Sequence, residues 1–325
     1  METVKFTDIP GIKVGNAEDL KGMTGCTVII CEEGACAGVD VRGGAPGTRE
    51  TDLLNPVNLV DKVHAVFLSG GSSFGLDAAS GIMEYLEGKG IGFDVGVTKV
   101  PIVCGAVLFD LSFGDYKARP DKKMGYEACE NANNFKCNEG SIGAGCGATI
   151  GKIRGMEYAM KGGLGSIAYK VNDLIVGAIA IVNCLGDVID PKSGKIIAGA
   201  LNNDGETFID TENFMISQFD NKKNLFSGNT TIGVVATNAL LNKASATKVA
   251  SMAQDGYGRT IRPSHSMVDG DTIFTLSTGK VEADINVVGL LAAKAVETAV
   301  LRAVKMADPL LGLKCYRNLE NEIKK

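Results

Sequence analysis

The sequence predicts an α+β protein in which sheets are covered by helices. Three observations lead there. Hydrophobic residues make up 45% of the 325 positions and charged residues 22%, the balance of a chain that packs a core. Strand-length apolar runs are interspersed with longer segments of helical periodicity, and such an order is satisfied by helices layered on sheets. The 42 glycines gather where strands would meet turns, the places that need positive φ or close backbone approach. At this length the chain is one large domain or two ordinary ones.

In chain order, the first strand is read at Cys26–Cys31, apolar but for Thr27. The second, Ala65–Ser69, runs into Ser69-Gly70-Gly71-Ser72-Ser73-Phe74-Gly75 and then into helical spacing over Leu76–Leu86. A short strand is read at Ala148–Ile150 and a long one at Leu174–Asn183. Asn202 to Asn229 is polar and rich in Asn and Asp, the one flexible excursion, with Asp220-Asn221-Lys222-Lys223-Asn224 expected at its exposed part. Then follow a strand at Thr231–Thr237, a helix at Ala239–Tyr257, a strand at Thr272–Ser277 and a helix at Ala283–Met306. No repeat or low-complexity tract interrupts this order.

Composition excludes several classes of partner. A formal charge of −5 with no basic run argues against nucleic acid, which needs a basic face. The longest apolar stretch, Leu174–Val182, falls far short of the roughly 20 residues a bilayer demands, so no membrane partner is expected. Val287–Val304 is interrupted by Lys294, Glu297 and Arg302, and Met1–Pro10 has no apolar signal core. The nine cysteines, with no CxxC pair, read as reduced thiols of a cytoplasmic protein. Only His64 and His265 are present, so no histidine-rich metal site is expected, and no cofactor is called for.

Several short patterns compete for a chemical role. Gly143–Ala148 has the G-x-G-x-x-A form but is followed by strand rather than helix, and reads as a tight sheet turn. Gly151-Lys152 fails as a phosphate loop because Cys146 and Ile153 stand at the required Gly and Ser/Thr positions. Gly70, Gly71 and Ser72 open a helix after a strand, so they are either N–H donors to a substrate or oxyanion, or a structural turn. The same loop fits G-x-S-x-G around Ser73, with His265 the sole downstream histidine for a triad. Asp269-Gly270-Asp271 before a strand is a turn signal or a pair of carboxylates near a site. It is no EF-hand, since Lys280 occupies the twelfth position. Asn183 either caps a strand end or donates to an oxyanion.

The segment Gly228-Asn229-Thr230-Thr231-Ile232-Gly233 carries the sharpest possibility. Thr230 stands after an Asn, at the mouth of an apolar strand and the end of the polar excursion. It is a strand start favoured by β-propensity, or it becomes an N-terminal residue if the Asn229–Thr230 bond is cut. In that case its own α-amine, with a pKa of about 7.7–8.0, can take the hydroxyl proton and make a nucleophile.

Taken together, Thr7–Gly15, Val41–Glu50, Leu68–Ala78, Lys161–Gly165 and the Thr230 segment resemble the DmpA-type aminopeptidase family, the L-aminopeptidase/D-esterases with the β-peptidyl aminopeptidases. The resemblance spans nearly the whole chain. It implies a four-layer αββα sandwich similar to N-terminal nucleophile hydrolases, made as a precursor that cuts itself into an α chain, 1–229, and a β chain, 230–325. It implies Thr230 as nucleophile, Asn183 as oxyanion donor and Asp271 as acid, with Asp269 where the family has Ser. It further implies a homo-oligomer of αβ units acting on a small amide, peptide or ester. The family's amine-holding Glu has no counterpart in Pro101-Ile102-Val103-Cys104-Gly105-Ala106, so an amidase for another small amide fits equally. Two other functions are carried: acyl transfer, as in the similar ornithine acetyltransferases, and ligand binding without cleavage.

Overall fold

Side chains that alternate along a strand leave both faces of an apolar sheet needing cover. The computed structural model describes residues 1–219 and 228–323, and the expected exposed stretch Asp220–Asn224 lies outside the described residues. Its main strands are β1 (Lys13–Asp19), β2 (Thr24–Val41), β3 (Val63–Ser69), β4 (Val103–Val107), β5 (Gly163–Val171), β6 (Leu174–Asn183), β7 (Thr230–Ala239) and β8 (Thr272–Val281). The main helices are α1 (Ala78–Gly88), α2 (Lys122–Glu130), α3 (Lys243–Thr260) and α4 (Ile285–Lys305).

One long strand organises the rest. The first half of β2 pairs with β1 and β3, whereas Cys36–Val41 pairs with β8, so β2 belongs to two leaves. The register shifts between Ile30 and Ala35, at the polar Glu32-Glu33-Gly34, where Gly34 takes a φ of 74°. One leaf carries β5, β6, β7 and β8 in that order; the other carries β3 and β4. Both parallel pairs, β3 with β4 and β7 with β8, are joined through a helix, α1 and α3 respectively.

Three cores follow from the alternation. Ile179, Ile181, Ile232, Val234 and Phe274 face Ile29, Val66 and Leu68 between the leaves. The opposite faces carry Val176, Ala178, Val182 and Val235 against Val249, Ala253, Val296 and Ala299 of α3 and α4. On the far side Val28, Ile30 and Phe67 pack against Ile82 and Leu86 of α1 and Cys129 of α2. The result is helix, sheet, sheet, helix, the four-layer αββα sandwich. Each fully buried Val, Leu, Ile or Phe contributes roughly 1.5–3 kcal/mol, and every residue of β6 and β7 is buried.

Boundaries moved where caps decide them. The helix expected from Ala239 begins at Lys243, because β7 runs on to Ala239 and the Asn242 side chain accepts the Ser245 N–H at 2.9 Å. Asp284 likewise starts α4, accepting from Asn286 N–H at 2.7 Å. All nine cysteines are free; seven are buried, while Cys36 and Cys137 are partly exposed. Burial pushes the Cys26, Cys31 and Cys104 thiols up to about 12, which keeps them protonated and unreactive. Among the described residues, no helix is long and apolar enough to cross a membrane.

Candidate active site

Three strand ends meet at Thr230. It opens β7, its ladder partner is Asn183 at the end of β6, and Asp269-Gly270-Asp271 leads into the parallel β8. Upstream, Asn229 forms a single bridge with Asp269, and the Asn229 carbonyl accepts the Gly270 N–H at 3.1 Å. The Thr230 Oγ1 hydroxyl lies against that same carbonyl oxygen. Gly270 has to be small: a Cβ there would stand 2.8 Å from Thr230 Oγ1 and 2.9 Å from the Ala45 carbonyl.

Two buried carboxylates hold this corner. Asp271 Oδ1 accepts the Thr231 N–H at 2.7 Å, and its Oδ2 accepts from both the backbone N–H and ring Nδ1 of His265, each at 3.0 Å. Asp269 Oδ2 accepts from the Ser266 N–H at 2.9 Å and from the Ser266 hydroxyl. Burial, then the charge of Asp271, pushes the Asp269 carboxyl up to about 6.

Asn183 is fixed from the other side. Its Oδ1 accepts from Thr149 N–H and Lys152 Nζ, both at 2.9 Å, and more loosely from the Thr149 hydroxyl at 3.3 Å. With the oxygen so committed, its Nδ2 donates to the Phe109 carbonyl at 3.0 Å and to the Gly228 carbonyl at 3.4 Å. Asn183 thus faces two ways. It caps the turn at Thr149, and it aims an N–H at the chain just upstream of Thr230.

Lys152, read from sequence only as part of a failed phosphate loop, is fully enclosed here. Its Nζ also donates to the carbonyls of Asn183, at 2.9 Å, and Thr149, at 3.0 Å. Burial pushes its ammonium down to about 7, against the nearby charges of Asp269 and Asp110. Burial thus disfavours the charged form of both the lysine and the neighbouring Asp269. The available signal was a lysine set between Ile150 and Ile153 in an otherwise apolar stretch. His265 was weighed only as a triad partner of Ser73, and its bond to Asp271 gives it a different place.

Of the two readings open for the Gly70–Ser72 loop, the hydrogen bonds are those of a structural turn. Its N–H groups are all committed, Gly70 to the Gly25 carbonyl at 2.9 Å, Gly71 to Asp110 Oδ1 at 2.7 Å and Ser72 to the Leu108 carbonyl at 2.9 Å. Burial pushes the Asp110 carboxyl up to about 6, opposed by its bonds from Thr24 and Gly71. Gly70 and Gly71 thus brace the loop, while Ser72 and Ser73 reach the cleft beside Thr230. That cleft measures about 70 Å³ and includes Pro46, Phe109 and Val268 in its wall. None of the described residues lining it carries an ionisable side chain.

The fold is that of the N-terminal nucleophile hydrolases. The chain superposes with a TM-score of 0.75 on the L-aminopeptidase D-Ala-esterase/amidase of Ochrobactrum anthropi, over 98% of this chain and 93% of that one, at 17% identity. More specifically, the chain belongs to peptidase family S58, whose sequence model matches residues 5–317, and it is a hydrolase. It is 40% identical to an uncharacterized aminopeptidase of Mycobacterium leprae (strain TN), covering 96% of this chain and 92% of that protein. It is 30% identical to the 6-aminohexanoate-oligomer endohydrolase of Kocuria sp. (strain KY2), covering 94% and 86% of the two.

Proposed function

We propose that Thr230 cuts the Asn229–Thr230 bond and then serves, as the new N-terminus, as nucleophile on small amides, peptides or esters. The observation that carries this reading is the Thr230 hydroxyl held against a carbonyl that already accepts the Gly270 N–H. In the first stage Thr230 Oγ bonds to the Asn229 carbonyl carbon, and the charge gathers on the oxygen facing the Gly270 N–H. The C–N bond breaks, the proton lost from the hydroxyl ends on the freed amine, and an ester joins Asn229 to Thr230. Water then splits that ester, leaving the Asn229 carboxylate and restoring the hydroxyl.

In the second stage the free amine takes the hydroxyl proton as a substrate carbonyl moves into the place Asn229 has left. The Gly270 N–H and Asn183 Nδ2 receive the oxyanion, Lys152 keeps the Asn183 amide turned that way, and Asp271 holds the terminal residue through the Thr231 N–H. A cleft with no ionisable wall among the described residues suits an uncharged acyl group. The relatives' names, an aminopeptidase and an oligomer endohydrolase, support an amide-type substrate.

Intact mass with N-terminal sequencing tests the reading. The parent protein should give fragments 1–229 and 230–325, and Thr230→Ala should stay whole and hydrolyse nothing. A Thr230→Ala chain that still splits at that bond, or an unsplit parent that turns over substrate, refutes it.

A further inference from the structure

We infer that His265 is the positioning residue that sets the geometry of the terminal threonine, acting through Asp271; this rests on the reading of Thr230 as nucleophile. His265 grips one carboxylate oxygen twice, with its backbone N–H and its ring Nδ1, each at 3.0 Å. The double grip requires an unusual backbone. His265 has a φ of 60°, a region that non-glycine residues seldom enter and that His, Asn and Asp tolerate best. A sparsely populated conformation at a site corner points to a role that the surroundings enforce.

The other oxygen of Asp271 accepts the Thr231 N–H at 2.7 Å, so the order of contact is His265, Asp271, then the peptide that follows Thr230. This link gains weight when the upstream bond is gone. The bridge from Asn229 to Asp269 and the bond from Gly270 to the Asn229 carbonyl both belong to the segment that cleavage detaches. What remains to orient the terminal amine and hydroxyl is the ladder to Asn183 and the Thr231 N–H on Asp271. An Asp271 free to rotate would release the second of these. His265 does not line the cleft, so its effect falls on the chemical step and not on substrate binding.

Two substitutions separate the ring from the backbone. His265→Gly adopts the left-handed φ freely and removes the ring; His265→Asn keeps that φ and offers a short side-chain N–H donor. The readouts are the self-cleavage time course of the freshly made chain and turnover of p-nitrophenyl acetate by the matured protein, with near-ultraviolet circular dichroism as the check on folding. His265→Gly should slow cleavage and lower kcat at least about tenfold, as loss of a hydrogen bond to a charged group implies, with KM within about threefold. His265→Asn should recover most of the loss. A folded His265→Gly chain that never splits is the extreme of the expected result. Parental rates in His265→Gly, an Asn variant no better than Gly, or a loss seen in KM alone would overturn the inference. Failure of this inference is distinguishable from failure of the Thr230 reading, because only the latter lets Thr230→Ala split.

Discussion

Gly270→Ala is the sharpest perturbation of the proposed self-cleavage. The φ of Gly270 is not left-handed, so alanine meets no backbone penalty and only the contacts count. Its Cβ would stand 2.8 Å from Thr230 Oγ1 and 2.9 Å from the Ala45 carbonyl, where ordinary contact begins at 3.4 Å. Something must yield by about half an ångström on both sides, and overpacking of this kind costs about 1–3 kcal/mol. The hydroxyl and the strand carrying the Gly270 N–H are what can give, and both take part in the first stage. Displacing a single oxyanion donor lowers rate by about 10²–10³, so self-cleavage should slow at least about tenfold. Pulse-expressed protein, sampled over time on denaturing gels and by intact mass, gives the rate directly. A Gly270→Ala chain that splits within about threefold of the parent would show that neither the hydroxyl position nor the Gly270 N–H matters, and would refute the reasoning.

Other expectations follow from the same corner. Lys152→Met removes a buried donor and leaves Asn183 Oδ1 and two carbonyls without it, so self-cleavage should fall by about 10² or more, read by the same gel series. Asp269 has a folded pKa of about 6, above its unfolded value near 3.8, so its contribution to stability is complete below pH 3.8 and is lost as pH rises through 6. Asp269→Asn should therefore gain in melting temperature relative to the parent between pH 4 and pH 7. A difference that stays flat over that window would contradict the raised pKa.

The central strands were plain from local pattern because burial on both faces makes them continuous apolar runs. Leu174–Asn183 was read with the bounds the fold shows, and Thr231–Thr237 lies inside β7. β5 escaped notice because Gly163, Gly165 and Ser166 dilute its apolar signal, although Gly165 is needed where α4 crosses, its Cβ site lying 2.0 Å from the Ala299 carbonyl. α2 is polar on most of its surface and shows only Gly125, Ala128 and Cys129 to the core. The passage of β2 from one leaf to the other rests on pairings far apart in sequence, which no local window contains.

At the site the same division holds. Thr230, Asn183 and the Asp269–Asp271 pair stand at ends of apolar strands, where a polar residue is conspicuous. Lys152 and the second role of His265 were hidden, because the burial of one and the bond of the other to Asp271 depend on how separate strand ends converge. The Gly70–Ser72 loop was open to two readings in the sequence. Its local form fits open N–H groups or a closed turn alike, and only the long-range partners Asp110, Leu108 and Gly25 decide between them.

β7 lies between β6 and β8, with α3 and α4 packed over it, so the piece beginning at Thr230 would supply the middle of one leaf and an entire outer layer. Severing the chain ahead of Thr230 would free neither part, since β7 is paired on both sides and shares one core with β6, α3 and α4. Unfolding changes character all the same. A whole chain folds by itself, whereas two severed pieces have to find each other, so recovery of the matured protein from denaturant should decline on dilution more steeply than that of Thr230→Ala. Maturation would in this way act as a one-way latch, fixing a shape that the finished pieces could regain only by collision.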